Sequence, residues 1–153
     1  MYCSYSDIIK FRSLTEIIDL VNDENTPYNE TDLNSPANIC RQRIDEAIKA
    51  ADAEIDGYLR QRYTVPLTEV PALIKYNSVS LTLEYLYFRR LPASVPASVA
   101  ADAKTKRQML KNIAEGFIGI GAETADSKPA SGTYKSNKEN TGRIFNDDML
   151  NRY

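Results

Sequence analysis

With 153 residues, 42% of them hydrophobic and 26% charged, the chain has the length and composition of one soluble globular domain with a substantial core. Its formal net charge of −2 gives no general reason to expect nucleic-acid or anionic-membrane binding, and no apolar run approaches the roughly 20 residues that span a bilayer. The absence of histidine removes the commonest general base and metal ligand, and Cys3 and Cys40 are too few and too far apart for a zinc site.

The N-terminal region predicts two short helices followed by a polar loop. Ser6 opens a helical turn that ends at Phe11, and Ser13-Leu14-Thr15-Glu16 matches a capping box that opens a second helix through Val21. The loop over 22–34 contains several acidic residues, which suggests a calcium loop. It lacks the central glycine and the glutamate at the twelfth position, so we interpret it as a solvated acidic loop.

The stretch from Ser35 to Leu67 predicts a long amphipathic helix closed by a proline turn. Ser35 can cap the first free amides, Pro36 is tolerated in the first turn, and Pro66 prevents the helix from continuing. Apolar residues recur at three- and four-residue steps and share one helical face: Ile44, Ala47, Ile48, Ala51, Ile55, Tyr58 and Leu59. A helix of this length cannot bury that face alone, so other elements must cover it.

Two further long helices complete the predicted fold. The segment from Ala72 to Leu91 is apolar almost all round, which is typical of a helix in the middle of a bundle. Arg89 and Arg90 at its end are interpreted as charges favourable near a helix C-terminus, with a phosphate clamp as the alternative. The third long helix runs from about Val99 to Ile118. Together these elements predict an all-α fold, a small helical bundle of three long helices plus short N-terminal helices, in a domain over 1–121.

The composition changes from Ala122 onward, and residues 122–153 are predicted to form an extended tail. The tail begins as a polar spacer rich in helix breakers and ends in a segment with large apolar side chains. The anchors of that segment are Ile144, Phe145, Leu150 and Tyr153. A spacer that ends in an apolar anchor suggests docking, either onto a neighbouring subunit or back onto the same bundle, and the sequence leaves both open.

Asp52 and Asp56 lie one turn apart on the central helix and are the only paired carboxylates that invite a catalytic interpretation. Lys49, Arg60 and Arg62 lie close enough along the same helix to neutralise them. A surface salt-bridge ladder, or a cap to a neighbouring helix, is therefore preferred over an acid–base pair. We predict no catalytic, cofactor-binding or metal-binding residue and no enzymatic activity.

The central helix and the turn after it resemble a known family. The run from Ile44 to Leu59, followed by Arg62-Tyr63 and Pro66-Leu67, is similar to a Mu-like prophage family long labelled as of unknown function. That family is grouped with small helical head–tail connector, or head-completion, proteins of tailed phages. The shared pattern is an Ala-Asp pair, Ile-Asp-x-Tyr-Leu, Arg-Tyr, two variable residues and Pro-Leu, with a Pro-x-Leu start to the next helix. The family-motif positions here are Asp52, Ile55, Asp56, Tyr58, Leu59, Arg62, Tyr63, Pro66, Leu67 and Pro71.

The resemblance implies a non-enzymatic ring subunit between the portal and the tail machinery, with DNA only passing through the channel and no membrane contact. The implied partners are copies of itself, the portal, and tail or head-completion proteins. The implied location is the cytoplasm of the bacterial host during assembly and the virion neck in an active phage. Candidate subunit or partner contacts are the apolar ends, Tyr2, Tyr5, Ile144, Phe145, Leu150 and Tyr153. The motif residues from Tyr58 to Leu67 are expected to fix the turn between the first two long helices, with Arg62 paired to Asp56 or to a nearby carbonyl.

A helical DNA-binding module, or a general protein-interaction module, is the alternative function. A DNA-binding module would place Arg60, Arg62, Arg89 and Arg90 on phosphates. The acidic overall charge and the lack of a clear basic stripe count against it.

Overall fold

The computed structural model describes residues 1–27, 32–90, 95–122 and 124. Within these ranges the chain forms five α-helices: α1 (Tyr5–Phe11), α2 (Leu14–Val21), α3 (Ile39–Leu59), α4 (Ala72–Arg90) and α5 (Ala97–Ala114). The prediction of an all-α bundle with three long helices and short N-terminal helices is confirmed. Of the predicted tail, only residues 122 and 124 are described. None of the described helices is long and apolar enough to cross a membrane.

The start of α3 differs from its predicted position. The helix begins at Ile39 rather than at Ser35, because Asn38 is the residue that caps it. The Asn38 side-chain oxygen accepts a hydrogen bond from the Cys40 backbone amide at 2.8 Å. Ser, Asn and Asp are comparable as caps, so the choice depends on which side chain reaches a free amide in the folded chain.

The two short helices are capped by serine. Ser4, not the predicted Ser6, precedes α1, and its backbone amide donates to the Asp7 carboxylate at 3.1 Å. Ser13 caps α2 as predicted, and its hydroxyl oxygen accepts from the Glu16 backbone amide at 3.2 Å. These caps satisfy amides that have no partner inside the helices.

Helices α3 and α4 pack antiparallel and divide the core into two parts. In the first part, Ile44 and Ile48 near the start of α3 share a cluster with Leu83 and Leu86 near the end of α4, covered by α1 and α2. In the second part, the end of α3 meets the start of α4 and is covered by α5. Its fully buried side chains include Ile55, Leu59, Ile74, Leu110 and Ile113. Burial of these apolar side chains is the main contribution to the stability of the fold.

Helix α4 is less enclosed than its sequence predicts. It contacts α1, α2, α3 and α5. Tyr76 and Phe88 are nevertheless 49% and 60% exposed. Helix α4 lies in the middle of the bundle, as predicted, but a groove between α1 and α5 leaves one strip of it open.

Two acidic residues of the loop after α2, Asp23 and Glu24, are exposed, as the sequence indicated, and both are also ion-paired. Asp23 lies 2.8 Å from Arg89 and 3.6 Å from Arg90, and Glu24 lies 2.6 Å from Arg43. The same three arginines donate to backbone carbonyls at the end of α2. The pKa of Asp23 is lowered mainly by the hydrogen bond that it accepts from Arg89. Arg89 and Arg90 therefore neutralise the end of α2 and are not arranged as a phosphate clamp.

Candidate functional site

The two motif carboxylates of α3 hold the N-terminal segment of the chain. One oxygen of Asp52 accepts the Tyr2 backbone amide at 2.9 Å, and the other accepts the Ser78 hydroxyl at 2.8 Å. Asp56 accepts a hydrogen bond from the Tyr2 hydroxyl. The amino group of Met1 lies 3.8 Å from Asp52. Both carboxylates thus accept hydrogen bonds from the N-terminal segment, and Asp52 also contacts the neighbouring helix α4 through Ser78, in place of a salt-bridge ladder along α3.

The Tyr2 hydroxyl links α3 to the segment that connects α3 with α4. Besides donating to Asp56, it accepts a hydrogen bond from the Leu67 backbone amide at 3.3 Å. Burial is the main cause that raises the pKa of Tyr2, with the Asp56 hydrogen bond second. One phenol therefore ties together the N-terminal segment, the central helix and the Pro-Leu part of the motif.

A small set of buried polar side chains continues this arrangement into α4. The Ser78 hydroxyl lies 3.2 Å from the Cys3 sulfur, and the Thr82 hydroxyl donates to the Ser78 carbonyl at 2.7 Å. Burial is the main cause that raises the pKa of both Cys3 and Asp52. We call Tyr2, Cys3, Asp52, Asp56, Leu67 and Ser78 the N-terminal docking site.

Two residues of the N-terminal docking site, Cys3 and Ser78, and the adjoining Thr82 were not predicted to take part in it. A signal for two of them was present, because Ser78 and Thr82 are polar residues one turn apart in a helix whose other residues are mostly apolar. Both side chains are fully buried. Polar groups in that position require partners, so the spacing could have indicated an internal polar contact.

The structure corrects the predicted role of Tyr2 as a subunit contact. Its side chain is only 4% exposed and belongs to the core of its own chain. Tyr5 is half-buried, its hydroxyl donates to Asn34, and the Arg41 guanidinium lies 4.0 Å from the centre of its ring. The other predicted contacts, Ile144, Phe145, Leu150 and Tyr153, lie outside the described residues.

The Arg-Tyr part of the motif ends α3. The backbone amides of Arg62 and Tyr63 both donate to the Leu59 carbonyl, at 2.9 and 2.8 Å. Leu59 and Tyr63 are buried in the core with Leu67, whereas Tyr58 is half-buried and Pro66 is exposed. These contacts fix the turn after α3, as expected for the motif.

Arg62 does not make the predicted ion pair with Asp56. Its guanidinium lies 5.7 Å from the centre of the Tyr63 ring. It also lies beneath Gly116, where an added Cβ would be 2.4 Å from Nη1 of Arg62. The residue therefore packs between the turn after α3 and the turn after α5.

The end of α5 returns the chain to this same end of the bundle. Tyr63 forms an isolated antiparallel β-bridge with Thr124. Pro71 begins α4 there, and its carbonyl accepts the backbone amides of Ile74 and Lys75 at 3.0 and 3.1 Å. The N-terminal docking site, the motif turn and the residues that lead into the tail therefore meet at one end of the bundle.

In the described part of the chain, a cavity of about 360 Å³ at this end brings together Asp7 and Asp45, and both are ion-paired, Asp7 with Lys10 and Lys75 and Asp45 with Arg41. A groove of about 650 Å³ is lined by Leu67–Pro71, Thr64 and Ile120–Ala122, and Glu69 is the titratable residue among those described in its lining. The carboxylates of Asp52 and Asp56 are occupied by the chain's own donors. General acid–base chemistry needs a carboxylate within reach of a substrate proton, and this geometry favours a structural role for both residues.

The arginines of the DNA-binding alternative lie at two ends of the bundle. Arg60 and Arg62 follow α3, at the start of α4, whereas Arg89 and Arg90 are at the end of α4. Helix α4 has 19 residues and is about 28 Å long at the rise of an α-helix, so the two pairs lie towards opposite ends of a long helix. The four side chains do not form one basic patch.

Comparison with protein families gives a match over most of the chain. The profile of a protein family described as Bacteriophage Mu, Gp36 matches residues 2–138. The match spans the N-terminal docking site, the motif turn and all five described helices, and it stops before Ile144. No curated protein matches the chain.

Proposed function

The chain belongs to the bacteriophage Mu Gp36 family, and on that premise we propose that it is a non-enzymatic structural subunit of the phage head–tail junction. The subunit assembles as a ring between the portal and the tail or head-completion proteins, with DNA only passing through the channel. Assembly takes place in the cytoplasm of the bacterial host, and the ring lies in the neck of the virion.

The observation that carries this proposal is the use of the motif carboxylates. Asp52 and Asp56 hold Tyr2 and Ser78 in place and leave no free acid for chemistry at the motif. An assembly subunit must present a defined surface to its neighbours. The polar side chains of this motif fix one end of the helical bundle, which is consistent with that requirement. Ring subunits make head-to-tail contacts in which two different surfaces meet.

Deletion of the gene in an active phage that carries it tests the proposal. We expect heads that form and package DNA but do not join tails, as seen by electron microscopy, with infectivity restored by the wild-type gene supplied separately. Normal particles without the gene, or a block before heads form, would contradict a head–tail role. A salt-dependent gel shift of duplex DNA by the purified protein would instead support the DNA-binding alternative.

A further inference from the structure

An apolar groove crosses the open strip of α4. It has a volume of about 340 Å³ and lies between the end of α1 and the side of α5. Phe11 and Tyr76 form an edge-to-face pair there, with ring centres 5.5 Å apart, and they are 54% and 49% exposed. Val79 and Leu83 form the rest of its apolar lining. Two neighbouring aromatic rings left half in solvent are typical of a surface that a partner covers.

The rim of the groove carries cations in loose pairs. Arg12 lies 3.7 Å from Glu16, and Lys106 lies 3.8 Å from Asp102. Both pairs are partly exposed and lie within one helix or at its edge, and pairs of this kind contribute little. An apolar ligand that also carries acidic groups therefore fits both the floor and the rim.

The segment Ile144–Tyr153 of this chain has that chemistry. It combines Phe145 and Leu150 with the adjacent acids Asp147 and Asp148. Residues 125–143 join it to Thr124 and can span at most roughly 65 Å when extended. That span exceeds the roughly 28 Å length of α4, so the connection does not confine the segment to the end of the bundle where it starts.

The groove and the origin of the tail lie on different sides of the bundle. Ser78 contacts Asp52 of α3, whereas Ser80 lines the groove. Positions two residues apart in a helix point about 200° away from each other, so these two side chains lie on nearly opposite faces of α4. Thr124 pairs with Tyr63, directly after α3. The tail thus starts on the α3 side, and the groove opens on the other side of α4.

We propose that the groove lined by Phe11, Tyr76, Val79 and Leu83 binds the segment Ile144–Tyr153 of a second copy of this chain. This inference rests on the proposed ring assembly. It names the two surfaces that meet between neighbouring subunits, the groove of one and the C-terminal segment of the other. A donor segment on one side and an acceptor groove on the other make each junction heterologous, so that copies join in one direction. Asp147 and Asp148 replace Glu16 and Asp102 as partners of the rim cations.

Disulfide trapping between full-length chains tests this contact. One chain carries Ser80→Cys in the groove, and the other carries Asn146→Cys in the segment. The native Cys3 and Cys40 are 4% and 3% exposed, so the added thiols are the accessible ones. Oxidation of the mixture is expected to give the heterodimer as the main product on a non-reducing gel.

Two further substitutions in the groove chain make the test specific. Tyr76→Lys should lower the heterodimer yield about tenfold, because it places a charge on the apolar floor. Phe88→Lys is the matched control, since Phe88 is a similarly exposed aromatic at the other end of α4, and the yield should not change. All chains should show the same helical circular dichroism.

Three outcomes would overturn the inference: no heterodimer, a heterodimer that is insensitive to Tyr76→Lys, or ring closure within one chain that carries both cysteines. The last would mean that the segment occupies its own groove. If trapping fails while gene deletion still gives tailless heads, the groove assignment is wrong and the proposed function stands. If trapping succeeds while deletion leaves normal particles, the function is wrong and the contact stands.

Discussion

Replacing Tyr2 by phenylalanine removes one hydroxyl from the N-terminal docking site and leaves the buried ring in place. Two groups lose a partner: the Asp56 carboxylate and the Leu67 backbone amide. Hydrogen bonds to charged groups contribute roughly 1.5–3 kcal/mol, and Asp56 is half-exposed, so water replaces part of the loss. We expect the free energy of unfolding to fall by about 2 kcal/mol.

Urea unfolding followed by circular dichroism measures this change as a lower midpoint with an unchanged slope. Tyr58→Phe is the matched control, because Tyr58 is a half-buried tyrosine on α3 and its hydroxyl makes no hydrogen bond to any of the described residues. It should change stability by less than about 0.5 kcal/mol. Equal effects of Tyr2→Phe and Tyr58→Phe would refute the role of the Tyr2 hydroxyl as a link between α3 and the motif turn.

Three other substitutions test the packing of the bundle. Gly116→Ala should destabilise the protein by about 1–2 kcal/mol, because Gly116 has a φ of 88° and an added Cβ would displace Arg62; a neutral result in thermal unfolding would contradict this. Gly57→Ala should stabilise it by about 0.5–1 kcal/mol, since Gly57 lies inside α3 with open space around it. Burial raises the pKa of Glu54, but hydrogen bonds from Arg107 and Tyr85 and the charge of Arg107 outweigh it and lower the pKa overall. Glu54→Gln should therefore lower stability above the ordinary glutamate pKa, and the difference from wild type should vanish as the pH falls through the lowered pKa; a pH-independent difference would contradict the ion pair.

The helical fold was predictable because its signals are local. Helix α4 is observed at Ala72–Arg90 where the sequence predicts Ala72 to Leu91, and Pro71 marks its start. The start of α3 was wrong by one turn, because Ser35 and Asn38 are both good caps and only the folded chain shows which one reaches an amide. Residues 123 and 125–153 of the tail lie outside the described residues, and its predicted contacts stay predictions.

The candidate site was predictable only in part. The four-residue spacing of Asp52 and Asp56 places them on one face of α3, and that placement is observed. Their partner Tyr2 is 50 positions away from Asp52 in the chain, and Ser78 is 26 positions away on another helix. Tyr2 was predicted at the surface because an aromatic residue near a chain end gives no local sign of burial.

The sequence by itself determined the three long helices, the proline before α4 and the family motif, because each depends on residues within a few turns of one another. The third helix ends at Ala114, one turn before the predicted Ile118. Tertiary structure alone decided that the motif carboxylates bind the N-terminal segment and that one strip of α4 stays open between α1 and α5. The physical reason is that these features depend on how separate helices pack against each other, and hydrophobic periodicity within one helix fixes its buried face but not its neighbours.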